Sequence, residues 1–583
     1  MRTCLTGLLL LLSCAHAPPS PRSAPRFSIT LPLATGPLDG RLLLFLSTDG
    51  KTEPRDQLAD ADSTAQLFGV DVDALQPGGA ISLDDGVLGY PVQSLAQVPT
   101  GDYFVQGVFH LYQTFHRGDG HTVKLPADRG EGQQWRTAPG NFFSAPRRLR
   151  VAPGETVRLA LDQVNPPLPA PPLDTKYVKH LRLQSERLSR FWGRPTYLGA
   201  IVLLPEGYDT HPNARYPLVV SHGHFARTLE VFRETPPDPA LPPLDLPGLL
   251  RTCPNGHEGA ACTEHGLDRL EQETAHALYK EWTGPGFPRA VVVSIQHANP
   301  YYDDSYAVNS ENMGPYGDAI AEELIPFLEQ QLRLLGPWAR GLYGGSTGGW
   351  EALATQLLHP DQYNGAIVSC PDPIDFSRFT VIDLYQDANA YDSIGAWKRT
   401  PRPAERGDQG QVRATIEQSN LRELVLGTHS RSGDQWDAWE AVYSPVGSDG
   451  YPKRIWDKRT GLIDPAVAAH WRAQFDLARI LQRDWATLGP KLRGKLTINV
   501  GRADNFFLDG AVTRVEELLR SIQDPPSDAR FDYGASDEHC WSGDHEHANV
   551  ISRLTYTQRF VPQLAAHWLA TAPPGADTKS WRY

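Results

Sequence analysis

Positive charge is in short supply in this chain. It carries 55 Lys and Arg against 68 Asp and Glu, a formal net charge of -13 at pH 7. Nucleic-acid affinity comes largely from cations that neutralise phosphates, so nucleic acid is excluded as a partner. Long apolar runs are missing too: beyond the first residues nothing approaches the ~20 apolar residues that a membrane helix needs. Any membrane attachment is therefore through lipid. There are only 6 cysteines, two of which, Cys4 and Cys14, lie in the N-terminal apolar segment. The remaining four, Cys253, Cys262, Cys370 and Cys540, allow at most two disulfides in an oxidising compartment. Cys253 and Cys262 flank the Gly-rich loop CPNGHEGAAC and can close it locally, Cys370 and Cys540 fall in segments assigned below to the rim of a site, and the alternative is unpaired thiols. There is no internal repeat and no low-complexity tract.

What is present starts with length. At 583 residues the chain exceeds one compact core, and at roughly 100–200 residues per domain two or more domains follow. Gly 51 and Pro 50 signal long loops. Residues 1–22 place Arg2 ahead of the apolar run Leu8 to Leu12, the pattern of an export signal. Within it, Leu11-Leu12-Ser13-Cys14 resembles a bacterial lipoprotein processing site, with Cys14 as the lipidated residue. A plain secretory signal is the alternative. The expected location is periplasmic or lipid-anchored at the cell envelope, otherwise secreted.

Residues 27–163 read as short alternating or apolar runs broken by turns, such as RLLLFLSTDG and GDYFVQGVFHLYQTFH, which predicts a β-sandwich-like domain. A Pro-rich stretch, 164–176, then predicts a stiff extended linker. From 177 to 573 the pattern changes to buried strands (YLGAIVLLP, YPLVVSHGH, AVVVSIQH, GLYGGS, GAIVSCPD, KLTINVGRADN) alternating with helices such as GGWEALATQLLHP. That alternation is the signature of an α/β fold with a mostly parallel sheet, and ligands in such sheets bind at the carboxyl ends of the strands. Two segments, 224–287 and about 372–488, are too long for simple connections. The second is rich in aromatics and is predicted to form a helical cap that shapes a pocket, although aromatics at this spacing more often build core.

The chemistry centres on Gly344-Gly345-Ser346-Thr347-Gly348. A lone G-x-S-x-G is weak, but this one follows the start of a strand and runs straight into a helix, the strand-turn-helix setting of an α/β-hydrolase nucleophile. A serine hydroxyl is a poor nucleophile unless a base takes its proton and an acid orients that base. The acid should follow the serine at a strand end. Asp504 does so directly after KLTINVGRA, with Asp509 and Asp372 as alternatives. The base should come last, and the segment DEHCWSGDHEHAN offers His539 first, with His545 and His547 as alternatives. The oxyanion needs two backbone N-H donors: Thr347, after the nucleophile, and the loop around Gly223 and His224. His222 and His224 also form an H-x-H pair, but no further ligands lie at helical or finger spacing nearby, so no metal is expected. The chemistry calls for no cofactor.

Taken together, the runs AIVLLPEGYDTHPNARYPLVVSHGHF, NSENMGPYGDAIAEELIPFLEQQLRLLGPWARGLYGGSTGGWEAL, VGRADNFFLDG and EHCW resemble the putative esterase family of α/β-hydrolases, a group similar to esterase D, S-formylglutathione hydrolases, feruloyl esterases and siderophore esterases. The resemblance covers roughly Tyr197 to Ala572 and implies hydrolysis of esters or thioesters, with Asp504 as triad acid and His539 as base. The segment between Pro371 and Lys491 and the N-terminal β region depart from the family pattern. The expected substrate is a small-molecule or glycan-linked ester. Two other readings compete: a serine peptidase of prolyl oligopeptidase type, against which stands the lack of any propeller-blade repeat, and an inactive hydrolase-fold protein that binds envelope or glycan.

Overall fold

The computed structural model describes residues 24–60, 64–127, 134–170, 172–224, 227–252, 266–547 and 554–583. The export segment with Cys14, and the pair Cys253 and Cys262, lie outside the described residues.

Valine-rich and isoleucine-rich runs pair into one sheet of eight strands. Its spatial order is Val178–Ser185, Thr196–Leu203, Val291–Gln296, Leu218–His222, Arg340–Gly345, Ala366–Ser369, Leu496–Gly501, Arg530–Gly534. Thr196–Leu203 is antiparallel to both of its neighbours, and every later pairing is parallel. Numbered along the chain, the order is 1-2-4-3-5-6-7-8. The single exchange, between the third and fourth strands, puts the strand ending at His222 beside the one ending at Gly345. In a sheet of this kind that neighbourhood at the carboxyl edge is where a site forms. Helices Thr347–Leu358 and Leu554–Thr571 contribute fully buried side chains to the core of this sheet. The segment 316–331 is helical, with a π-helical stretch at Ala319–Leu324.

Among the described residues the N-terminal region is β-rich, with two 3-10 turns at Pro54–Gln57 and Leu95–Gln97. A three-stranded sheet that includes Arg26–Thr30 and an eight-stranded sheet that includes Leu38–Ser47 and Gly101–His116 share one apolar core, with Phe27, Ile29 and Leu83 from the first against Leu42, Leu44 and Phe109 from the second. Its last strand is Gln163–Val164, and the hydrolase sheet starts at Val178. At the other end the chain does not leave the body at 573: Trp581 is buried, and the Tyr583 hydroxyl donates to the Glu206 carbonyl oxygen at 3.0 Å. The expected boundary is thus extended by the last ten residues.

Residues 372–488 are not purely helical. Helices Ile416–Leu426, Gln435–Tyr443 and Pro465–Gln474, and the start of Leu477–Leu492, are joined there by two short hairpins, Asp392–Ile394 with Arg399–Pro401 and Pro403–Arg406 with Val412–Thr415. The Arg-Thr-Pro and Pro-Ala-Glu-Arg strands are too short and too polar to announce themselves as strands. The aromatics of this stretch are core: Phe376, Phe379, Trp439, Tyr443 and Trp471 pack edge to face or tilted, with centroids 4.8–5.9 Å apart, the geometry favoured by ring quadrupoles. Its outer side rests on the N-terminal β region. Arg41 donates to the Val425 carbonyl oxygen at 2.8 Å and pairs with Asp71, which also receives Arg431 at 3.1 Å. No helix among the described residues is long and apolar enough to cross a membrane.

Candidate active site

Ser346 sits between the end of strand Arg340–Gly345 and the first residue of helix Thr347–Leu358, with φ 58° and ψ -124°. A non-glycine residue there is strained, and such strain persists only where the surroundings enforce it. The surroundings do so through close backbone contact. A Cβ on Gly344 would stand 2.1 Å from the Gly348 carbonyl oxygen, and one on Gly348 would stand 2.1 Å from the His222 carbonyl oxygen. Only glycine at both positions lets the turn close and the two neighbouring strands stay paired.

Asp504 follows strand Leu496–Gly501 and is fully buried. Its Oδ1 accepts the backbone N-H groups of Phe506 at 2.9 Å and Leu508 at 3.2 Å, while Oδ2 lies 2.8 Å from His539 Nδ1. The His539 backbone N-H is held by Asn505 Oδ1 at 3.0 Å, and Phe506 meets the ring edge-on, with centroids 4.9 Å apart. Both contacts fix the ring's orientation. Nδ1 is engaged by the carboxylate, and the ring also shares a hydrogen bond with Cys540. Burial alone would lower the affinity of this ring for a proton, but the adjoining Cys540 and Asp504 reverse that and hold its pKa well above the ordinary value.

Cys370 and Cys540 meet beside this ring. Their sulfur atoms and a His539 ring nitrogen lie within 4.8 Å of one another, and no disulfide joins the two cysteines. The pair expected at the rim is therefore two thiols in contact. Burial and the hydrogen bond with Cys540 push the Cys370 thiol well above the usual range, so it stays protonated and inert as a nucleophile.

The other candidate acids and bases lie elsewhere. Asp509 forms an ion pair with Arg406 at 3.2 Å at the start of helix Asp509–Ser521. His545 pairs with Asp532 at 3.0 Å and His547 with Asp544 at 3.1 Å, both on exposed loop positions. Asp372 is beside the nucleophile but does not orient the histidine. Its Oδ1 accepts the Ser346 hydroxyl at 3.3 Å, and its Oδ2 accepts Tyr306 at 2.7 Å, Thr347 at 3.2 Å and the Trp439 indole N-H at 3.2 Å. Burial raises its pKa, partly opposed by the Tyr306 hydrogen bond. Tyr306 and Trp439 were not singled out in the sequence. Tyr306 lies in an irregular loop at positive φ and Trp439 in an aromatic-rich helix, so neither has a spacing that reports on a strand end.

His222 and His224 diverge. The His224 ring stacks on Tyr302, with Nδ1 3.6 Å from Asp303, whereas the His222 side chain is buried beneath the turn. Gly223 adopts φ 135°, and its backbone N-H faces the Glu351 carboxyl group.

A sheet in this order, with a strained serine at the strand-to-helix turn and a downstream Asp-His pair, defines an α/β-hydrolase. Residues 262–473 match the family model Esterase, described as putative esterase. The match bears out the resemblance over those residues. It includes Ser346 and runs on through much of the segment that departs from the family pattern in sequence; Asp504 and His539 lie beyond it. No curated protein matches the chain. Among solved structures, a ferulic acid esterase is 13% identical with a TM-score of 0.33, covering 67% of this chain and 98% of its own. The fluorophosphonate-binding serine hydrolase FphF of Staphylococcus aureus is 14% identical with a TM-score of 0.32, covering 67% and 99%. An S-formylglutathione hydrolase from Agrobacterium tumefaciens is 12% identical with a TM-score of 0.30, covering 68% and 97%.

Proposed function

We propose that the chain is an exported serine esterase working through Ser346, His539 and Asp504. The observation that carries this reading is the 2.8 Å contact between His539 Nδ1 and a fully buried Asp504, downstream of a serine held in a strained turn. As the Ser346 oxygen bonds the acyl carbon, its proton passes to His539 Nε2 and Asp504 stabilises the imidazolium. The tetrahedral intermediate then collapses, and the alcohol leaves with that proton. Water repeats the sequence on the acyl-enzyme to release the acid. The negative oxygen is held by the Thr347 N-H and by the loop at His224, because the Gly223 N-H faces Glu351.

The segment 372–476 acts as the cover of this site. Trp439 reaches Asp372, and Arg406 donates to the Asp504 carbonyl oxygen at 2.9 Å. The substrate is a small-molecule or glycan-linked ester. Export, with a lipid on Cys14, rests on the sequence of residues 1–22, and a mass spectrum of the mature N-terminus decides it.

A fluorophosphonate probe should label the full chain at Ser346, and Ser346→Ala should abolish labelling. Protein not exposed to the probe should turn over short p-nitrophenyl esters faster than dipeptide anilides. No labelling would sink the enzyme reading, and faster anilide turnover would replace the esterase with a peptidase.

A further inference from the structure

Four polar side chains converge in the buried space under the Ser346 turn and are used by none of the steps above. His222 closes strand Leu218–His222, and His297 follows strand Val291–Gln296. Asp304 lies in the loop after it, and Glu351 points in from the middle of the Ser346 helix. His297, Asp304 and Glu351 are at most 1% exposed, and the His222 side chain is fully buried. Both His222 ring nitrogens and His297 Nε2 make no hydrogen bond, and the Glu351 carboxyl group meets only the Asp304 carboxyl group and the Gly223 N-H. Buried polar atoms are ordinarily paired, so the three orphaned imidazole nitrogens beside two buried carboxyl groups call for a further partner.

The spacing says what that partner is. The facing atoms of His297, Asp304 and Glu351 lie within 4.8 Å of one another. Glu351 Oε2 is 3.6 Å from His222 Nδ1, and Glu351 Oε1 is 3.8 Å from His297 Nε2. These gaps are too long for hydrogen bonds. The two histidine contacts, one on each Glu351 oxygen, come within a few tenths of an ångström of the ligand-to-ligand separation of about 3.3–3.5 Å around a tetrahedral ion bonded at roughly 2.0–2.2 Å. The other His297 nitrogen, Nδ1, is 2.7 Å from Ser305 Oγ, and Asp304 Oδ1 accepts the Tyr306 N-H at 2.6 Å. His297 Nδ1 also accepts the Ser305 backbone N-H at 3.2 Å, and these outer contacts hold the ring and the carboxyl group in place. Two carboxylates and two imidazoles balance the charge of one divalent cation.

We infer that His222, His297, Asp304 and Glu351 form a closed structural site for a divalent transition-metal ion, with zinc the best match to two nitrogen and two carboxylate ligands. Bound there, the ion joins the strand that leads into Gly223 and His224, the helix that begins at Thr347, and the loop carrying Tyr306. It thereby fixes the backbone from which the oxyanion donors project. The site does not depend on the esterase reading, since its ligands are distinct from Ser346, His539 and Asp504.

The test is metal analysis of the full chain, purified without a histidine tag. About one zinc per chain is expected by inductively coupled plasma mass spectrometry. Chelator-treated protein should gain several degrees of Tm when zinc is added, because an ion that binds only the folded state stabilises it. Cobalt in place of zinc should give the visible absorption of a tetrahedral Co(II) centre. Glu351→Gln and His297→Gln should lose stoichiometric binding in calorimetry; should either fail to fold, the cobalt spectrum of the wild-type chain decides. A folded, chelator-treated wild-type chain whose Tm ignores zinc and which gives no cobalt band would overturn the site and leave a proton shared between Asp304 and Glu351. Unchanged zinc binding in Glu351→Gln would overturn it equally.

Discussion

Asp372 and Asp504 follow neighbouring strands of one sheet, Ala366–Ser369 and Leu496–Gly501, and both are buried, yet they hold different partners. Asp504 has one oxygen saturated by backbone N-H groups and the other given to an imidazole. Asp372 receives the hydroxyls of Ser346, Thr347 and Tyr306 and an indole N-H. In the proposed mechanism the first environment orients the base and stabilises its positive charge. The second offers the nucleophile a resting hydrogen bond that must be released before Ser346 can give its proton to His539. Position at a strand end therefore does not set a carboxylate's role; the loops that reach it do.

The comparison is most sharply tested at Asp504. Asp504→Asn should lower kcat on a short ester by about 10⁴, the order seen when a triad carboxylate loses its charge and the histidine its tautomer. The pH profile supplies a second readout. His539 must be neutral to act as base, so kcat/KM should rise with pH through its raised pKa, above the ordinary 6.5. Removing the Asp504 charge should move that rise to lower pH. An unmoved limb would mean that Asp504 does not face the base.

Asp372→Asn comes next. Asparagine weakens the charge-assisted bonds that hold Tyr306, Thr347 and Trp439 around Ser346, which outweighs the easier release of the serine hydroxyl, so the expected loss in kcat is about tenfold, with the limb unmoved. If Asp372→Asn cost as much as Asp504→Asn, the two carboxylates would share one role and the contrast would fail.

Much of the sheet could be read from the sequence because buried parallel strands are continuous apolar runs, as in Val291–Gln296 and Leu218–His222. The edge strand Val178–Ser185 escaped for the opposite reason: its VKHLRLQS is half polar and only partly buried. At the site, Ser346 was legible from its turn glycines, and Asp504 and His539 from their places after late strands. Choosing between Asp504 and Asp372 required knowing that the loop with Tyr306 and the helix with Trp439 fold back over Asp372, which no spacing encodes. The four groups under the turn were still less legible. His222 was visible only beside His224, which faces away, and its neighbours His297, Asp304 and Glu351 come from distant segments that the strand order brings together.

The smallest effect belongs to the loop histidines that compete with His539 on sequence grounds alone. His545 and His547 share its segment but face the surface, and their side chains are 59% and 74% exposed. Ion pairs at such exposure are worth about 0–1 kcal/mol, so His545→Ala should leave Tm almost unchanged. Neither ring is bonded to Asp504, so kcat should stay within about twofold of wild type for each, while His539→Ala falls to the level of Ser346→Ala. The measurement is a side-by-side ester assay of the three histidine variants. A large loss in His545→Ala with His539→Ala still active would transfer the base to a loop position held by Asp532 and the Trp541 ring, and the contrast between the two buried aspartates would then say nothing about catalysis.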